Sequence, residues 1–210
     1  MMANLKLLPL LRRHPVHNMV LLLPLLFLAT GLTGCGINNI PTYEENAKAK
    51  WSQVLNQYQR RTDLIPNLVK TVKGFASHEK DVLTSVVNAR AKATSLNLPA
   101  DKAPTPEQLQ KLQAVQSQLS GALSRLLVTV ERYPDLKSNQ NFLQLQTALE
   151  GTENRIGVAR RDYIEAVRLY NTELKIIPGR WWKQFMYPAN KPMPTFTIEQ
   201  KKMEVPAVKF

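Results

Sequence analysis

Apolar side chains recur at steps of three and four residues between positions 42 and 178. Residues 142–177 carry the longest such stripe, and its spacing is close to 3.5 residues, the period of a coiled coil. This spacing collects the apolar side chains on one face of a helix, and no segment alternates convincingly as a strand would. It predicts an all-α fold, an elongated antiparallel four-helix bundle with long helices, followed by an extended C-terminal tail.

The first predicted helix begins at Thr42, where Glu45 completes a capping box. Pro66 lies inside its apolar stripe, lacks a backbone N–H and clashes with the carbonyl of Thr62. We therefore expect either a kink just before the proline or a restart of the helix with Asp63 as its N-cap.

Capping residues and breakers bound the other predicted helices, at 77–96, 105–133 and 139–176. The third has the clearest start, because Thr105 is an N-cap, Pro106 follows it and Gln108 closes a capping box. Ser77 is the expected cap of the second helix, and the fourth is expected to open near Ser138 or Asn139. The two long helices should pair, with the two shorter ones across them, and residues 179–210 should form the tail, which has several prolines and no helical stripe.

The N-terminal segment resembles a bacterial lipoprotein signal. Three cations and no acids precede an apolar run at 19–29, which is too short for a membrane span. Leu32, Thr33, Gly34 and Cys35 then form a lipobox, and Cys35 is the only cysteine. We expect residues 1–34 to be removed, Cys35 to carry a lipid and residues 35–41 to act as a tether. The alternative is an uncleaved membrane anchor with Cys35 as a free thiol.

Location and charge follow from this signal. The lipid would hold the protein on the periplasm-facing side of a membrane, and the absence of Asp at position 36 favours the outer membrane in a Gram-negative cell. Loss of the signal lowers the formal net charge from +12 to +9. A basic, exported chain favours anionic lipids or acidic proteins as partners and excludes nucleic acid.

Several stretches resemble the LemA family. The longest run reads from Gln57 to Val69 and contains Arg-Arg-Thr-Asp-Leu-Ile-Pro-Asn-Leu-Val, and 72–79 continues it. Shorter matches lie at 89–91, 133–137, 153–156, 159–163, 170–171 and 205–210. The resemblance covers nearly all of 37–210, with the helical bundle at 42–178. It implies an antiparallel helical bundle tethered by its N-terminus to a membrane, and it supplies no enzyme activity or cofactor.

The family-like motifs supply the candidate polar site residues, which are Arg60, Arg61, Asp63, Pro66, Asn67, His78, Glu79, Arg90, Glu153, Asn154, Arg155, Arg161 and Asn171. Those on the first and fourth helices could meet across an antiparallel seam. They then either fix the helix register as polar ties or use arginine forks to bind an anionic group such as a lipid phosphate. We favour the structural interpretation.

No catalytic constellation is evident in the sequence. His78 is the only histidine after the signal, so we expect no zinc site, and we interpret it as a surface residue. The chain has no Gly-rich phosphate loop and no Gly-x-Ser-x-Gly elbow. We predict a protein that is not an enzyme and has no metal or cofactor.

Aromatic and cationic residues alternate after the fourth helix, as Arg180, Trp181, Trp182, Lys183 and Phe185. Such a mixture suits a membrane interface or a partner groove. Alternatively, the aromatic rings fold back over the end of the bundle.

Two functions of different classes fit these features. The first is a non-catalytic scaffold or adaptor that recruits envelope proteins and could also bind a second copy of itself. The second is a lipid-binding or membrane-shaping protein that acts through the basic, Trp-rich tail.

Overall fold

A computed structural model describes residues 36–196 of the chain, and within them all regular secondary structure is helical, which confirms the all-α class. The lipobox, Cys35 and residues 197–210 lie outside the described residues. The helices are α1 (Asn39–Phe75), α2 (Lys80–Ser95), α3 (Pro106–Val130), α4 (Pro134–Lys137), α5 (Gln140–Glu173) and α6 (Gly179–Phe185).

The long helices α1 and α5 pair in antiparallel register along their length. Asn39 Nδ2 donates to Glu173 Oε1 over 3.2 Å, and Lys50 Nζ lies 3.3 Å from Asp162 Oδ2 further along. Arg61 and Glu153 form the next tie, so each step forward along α1 is a step backward along α5. At 1.5 Å per residue, α1 is roughly 55 Å long. The start of α1 and the end of α5 therefore define one end of the pair, called here the near end.

The shorter helices α2 and α3 form a second antiparallel pair, which packs against the half of α1 and α5 away from the near end. Arg125 Nη2 donates to Ser85 Oγ over 3.3 Å between them. Their apolar faces join α1 and α5 in one buried cluster that includes Leu68, Val86 and Leu126.

A different set of elements encloses the near half. Trp51, on α1, and Tyr163, on α5, are fully buried there with their ring centroids 5.5 Å apart. Leu112 from the first half of α3 joins them, together with Met193 and Phe196 from the chain after α6. The elements that enclose the core therefore differ between the two halves of the α1–α5 pair. In the near half, α2 contributes no buried residue, whereas the C-terminal segment does.

The start and the capping box expected at Thr42 were wrong. The helix begins at Asn39, before Thr42, and its N-cap Asn38 makes no side-chain capping bond. Glu45 does not form a capping box and instead lies 2.8 Å from Lys48 Nζ. Ile40 is fully buried in the near core, and this burial favours the extra helical residues over a start at Thr42. The helix also continues through Pro66 to Phe75, without a restart at Asp63.

The caps of two helices agree with the sequence. Thr105 Oγ1 accepts from the Gln108 N–H at 3.2 Å, and Gln108 Oε1 accepts from the Thr105 N–H at 2.8 Å, so the capping box of α3 is confirmed. Asn139 Oδ1 accepts from the Phe142 N–H at 3.1 Å and caps α5.

Other boundaries differ from the sequence prediction. Ser77 lies before α2, whose N-cap is Glu79, and α5 ends at Glu173 rather than near residue 176. The region after Pro178 contains a short helix, α6. The sequence did not predict this helix, because the region has no helical stripe of apolar residues. Residues 187–190 form a turn, and the segment after it, which has no regular secondary structure up to residue 196, packs onto the helices through Met193 and Phe196.

Candidate functional site

The Pro66 defect in α1 is repaired by a side chain from another helix. Residue 66 has no N–H to offer the Thr62 carbonyl, its partner four residues earlier in a regular helix. Arg90, on α2, donates its Nε–H to that carbonyl over 3.0 Å. Both Thr62 and Arg90 lie largely within the protein, where an unpaired carbonyl is costly. This hydrogen bond therefore both satisfies α1 and ties α2 to it.

Arg61 is the centre of a tie between three helices. Its Nη1 lies 3.0 Å from Glu153 Oε2 on α5, and its Nη2 donates to Ser120 Oγ on α3 over 2.8 Å. Ser120 in turn donates to the Gln116 carbonyl over 3.0 Å. The Arg61 side chain is only 7% exposed, whereas Glu153 is 58% exposed. The guanidinium thus has protein partners in both directions, which favours a role in fixing register over one in binding a free anion.

The remaining polar residues of the motif do not gather around Arg61. Asp63 accepts from Gln59 Nε2 on its own helix over 2.8 Å. Arg161 is exposed, and its neighbour Asp162 pairs with Lys50. The other members share exposure to solvent on α1 or α5: Arg60, Pro66, Asn67, Asn154 and Arg155. Asn67 lines an open cleft of about 600 Å³ between these helices.

The turn between α1 and α2 contains the His78–Glu79 pair. His78 is exposed, as expected. Glu79 joins the start of α2 to the end of α3, because its Oε1 accepts from Tyr133 Oη at 2.8 Å and from Arg132 Nη2 at 3.0 Å. The hydrogen bond with Glu79 raises the pKa of Tyr133. This arrangement closes the far end of the helices.

Asn171 clamps the C-terminal segment onto α5. Its Oδ1 accepts from the Met193 N–H at 2.9 Å, and its Nδ2 donates to the Met193 carbonyl over 2.8 Å. Tyr163 Oη donates to the Pro194 carbonyl over 3.0 Å, and burial raises the pKa of this tyrosine. The Arg160 guanidinium lies 4.4 Å from the centre of the Phe196 ring, a cation–π contact. The motif residue Asn171 therefore acts on backbone, not on a ligand.

The aromatic and cationic cluster divides into two parts. Trp182 is half-buried and packs against the near core, so part of the cluster covers the end of the helices. Trp181 is 53% exposed and Phe185 is 76% exposed. Lys183 and Arg180 line an open pocket of about 520 Å³.

With this geometry established, comparison with known proteins gives the family. A model of the LemA family matches residues 50–210. The chain belongs to the LemA family. The resemblance noted in the sequence is therefore confirmed.

Curated relatives of this LemA-family chain are bacterial. Over 190 residues it is 29% identical to magnetosome protein MamQ 2 of Paramagnetospirillum magneticum, covering 81% of this chain and 69% of the relative. It is 26% identical over 153 residues to magnetosome protein MamQ of Magnetospirillum gryphiswaldense, covering 65% and 56%. Protein LemA of Metamycoplasma hominis is 24% identical over 116 residues, covering 55% and 49%.

Among residues 36–196 of this LemA-family chain there is neither a candidate metal site nor a candidate membrane-spanning helix. No group of three or more His, Cys, Asp or Glu side chains within that range could hold a metal ion. None of the helices described there is both long and apolar enough to span a bilayer.

Sequence reasoning missed three partners of the motif residues. Ser120 carries no family-motif signal, and its contact with Arg61 depends on how α3 packs. Phe196 lies beyond every predicted helix, and Arg160 meets it only because the chain turns back. The Thr62 carbonyl was detectable, since a proline four residues later marks it as lacking a helical donor.

Proposed function

We propose that this LemA-family chain is a bacterial envelope lipoprotein, anchored by lipid on Cys35, that serves as a non-catalytic scaffold or adaptor. The observation that carries the proposal is the start of α1 at Asn39, four residues after Cys35. Four extended residues span at most about 14 Å. A lipid on Cys35 would therefore hold the paired helices close to the bilayer, facing the periplasm, on the outer membrane in a Gram-negative host.

The scaffold role is supported by how the motif residues are used. Arg61, Arg90, Glu79 and Asn171 each make a tie within the protein, so these motif residues already have structural roles. Rigid paired helices of this kind present a fixed surface to partners.

The partner surface that we favour consists of the exposed motif residues on the α1–α5 pair. Arg60 and Asp63 are close to Arg61 in sequence on α1, while Asn154 and Arg155 directly follow Glu153 on α5. These side chains contribute little to the buried core, so recognition of an envelope protein, or of a second copy of this chain, is a role they can serve. Arginine is also common among residues that dominate interface energies.

The anchor is tested by Cys35→Ser in the full chain, followed by fractionation and metabolic labelling with a fatty acid. We expect loss of the label and accumulation of a precursor that retains residues 1–34. A fully processed protein that remains on the membrane without lipid would overturn the anchor.

The scaffold is tested by in-cell crosslinking with mass spectrometry. Wild-type protein should give reproducible crosslinks from residues near Arg60 and Arg155 to defined envelope proteins or to itself. Arg60→Ser with Arg155→Ser should remove them, whereas the matched control Lys92→Ser with Arg125→Ser, on the α2–α3 pair, should not. Equal loss in both variants, or no defined partner, would count against this surface.

A second candidate is a membrane-shaping protein that acts through the Trp-rich cluster. The observation in its favour is the exposure of Trp181 and Phe185 beside several cations. Electron microscopy of anionic vesicles with the reconstituted protein tests this role. Tubules that disappear with Trp181→Ser and Phe185→Ser would support it, and unchanged spherical vesicles would exclude it.

A further inference from the structure

The near end of the helix pair exposes an apolar surface on described residues. Trp181 and Phe185 are four residues apart on α6, so they lie on one face of it. Ile176 and Ile177 in the preceding turn are 48% and 63% exposed, and Met186 follows α6 with 51% exposure. Five large apolar side chains are therefore exposed within eleven consecutive residues. Burying them in an apolar phase would be favourable.

The charged side chains of the segment that carries this surface have a single sign. Residues 174–196 contain four cations and no acid. Lys175, Arg180 and Lys183 line the 520 Å³ pocket together with Gln184, and no ion pair is formed by any of the three within residues 36–196. An uncompensated cationic pocket beside apolar side chains complements a phosphate group attached to acyl chains.

The position of the surface is set by the core. Leu174 and Trp182 both pack in the near cluster, and Asn39 contacts Glu173 at the end of α5. The exposed side chains of α6 and its preceding turn therefore lie at the end where α1 begins, a few residues after Cys35.

We propose that the turn before α6, α6 and Met186 form a contact surface for an anionic phospholipid bilayer. Trp181, Phe185 and the two isoleucines enter the interfacial region, and the pocket cations bind lipid phosphates. The inference rests on the proposed lipid anchor for its geometry. With the anchor and the contact surface at the same end, the α1–α5 pair would stand perpendicular to the bilayer plane. The turn at Glu79 would then lie roughly 50 Å from the lipid. Exposed motif residues would then be available to partners along the pair.

The test uses full-length protein purified from membranes and reconstituted into phosphatidylcholine vesicles containing phosphatidylglycerol with bromine-labelled acyl chains, which quench nearby tryptophan. Trp51 is fully buried and Trp182 is half-buried, so Trp181 should dominate the response. We expect strong quenching in wild type and loss of about half or more of it in Trp181→Phe. Trp181→Phe with Val128→Trp moves the indole to an exposed site on α3, in the far half, and should not restore quenching.

The cations are tested in the same vesicles. Arg180→Gln with Lys183→Gln should lower quenching to the level seen with pure phosphatidylcholine, because each basic residue near an anionic surface contributes to binding. The control Lys70→Gln with Lys73→Gln removes the same charge from the far end of α1 and should leave quenching unchanged. Circular dichroism melting curves should be alike for all variants, since the altered side chains are mostly exposed.

Each outcome decides one proposal. Protein that co-floats with vesicles while Trp181 is unquenched retains the anchor and overturns the contact surface. If the purified protein has an unmodified Cys35 and does not co-float with the vesicles, the proposed anchor is overturned. In that case, quenching of Trp181 by added anionic vesicles still decides the surface. Equal quenching in neutral and anionic vesicles, unaffected by the cation variant, overturns the phosphate contact.

Discussion

Arg90 donates its Nε–H to the carbonyl oxygen of Thr62, which Pro66 leaves without a helical donor. A proline inside a helix normally costs about 3 kcal/mol, through the lost hydrogen bond and the clash of its ring. Here the lost donor is replaced from α2, so the hydrogen-bonding defect in α1 becomes a point of attachment for the next helix.

Replacing Arg90 with Met should destabilise the protein by about 1–3 kcal/mol, because the Thr62 carbonyl would be left without a donor. Pro66→Ala restores an N–H at position 66. In that background Arg90→Met should cost at least about 1 kcal/mol less, which a double-mutant cycle of urea unfolding would measure. Additive effects of the two substitutions would contradict the coupling.

Arg61→Met should lower the free energy of unfolding by about 1–2 kcal/mol, since it removes the hydrogen bond to Ser120 and the pair with Glu153. Glu153→Gln should cost less than about 1 kcal/mol because Glu153 is mostly exposed and solvent screens its charge. Thermal melting of both variants, with crosslinking yield as a second readout, separates the two roles. A yield that falls in Arg61→Met without a fall in stability would favour an anion or partner site instead.

Gly179 is required by the tight passage from α5 to α6. A Cβ there would overlap the carbonyl oxygen of Glu173, and the backbone around it cannot accommodate the extra atom. We expect Gly179→Ala to destabilise the near end by about 1–3 kcal/mol and to speed amide exchange in α6. Gly157→Ala is the matched control, because a Cβ there meets nothing within 4 Å and should stabilise α5 by about 0.5–1 kcal/mol.

Alkaline pH should reveal the burial of Tyr163. Burial raises its pKa, so the folded state keeps the proton at a pH where the unfolded chain, with a tyrosine pKa of about 10, has lost it. The contribution of Tyr163 is thus full below about pH 10 and declines as pH rises further. Urea midpoints should fall less steeply above pH 10 in Tyr163→Phe than in wild type and run parallel below it. Parallel curves throughout would contradict this account.

The sequence predicted helix boundaries correctly where a side-chain cap sets the boundary. The Thr105 capping box and the Asn139 cap bond within one helical turn, so their chemistry is visible in the sequence. The start of α1 was missed because burial of Ile40 outweighs the local box at Thr42. Phe75 fitted the apolar stripe but is 45% exposed, since it lies in the last turn of α1.

The candidate site was less predictable because its key contacts join distant segments. The Arg61–Glu153 tie follows from antiparallel pairing, which the sequence did predict. In contrast, Met193 docks because Asn171 binds its backbone atoms. Such a contact requires no particular side chain at position 193, so the sequence pattern does not predict it. The exposed surface of α6 combines Ile176 and Ile177 with the aromatic residues, which only the fold after Pro178 brings to one end.

The near core has a consequence for biogenesis. During synthesis Trp51 is made well before its ring neighbour Phe196. The first helix therefore leaves the ribosome before the residues that cover its near half have been made. Its apolar face is exposed during that interval, so we expect a holding chaperone to bind it, and a stop codon placed before the codon for Met193 should yield a chain prone to aggregation.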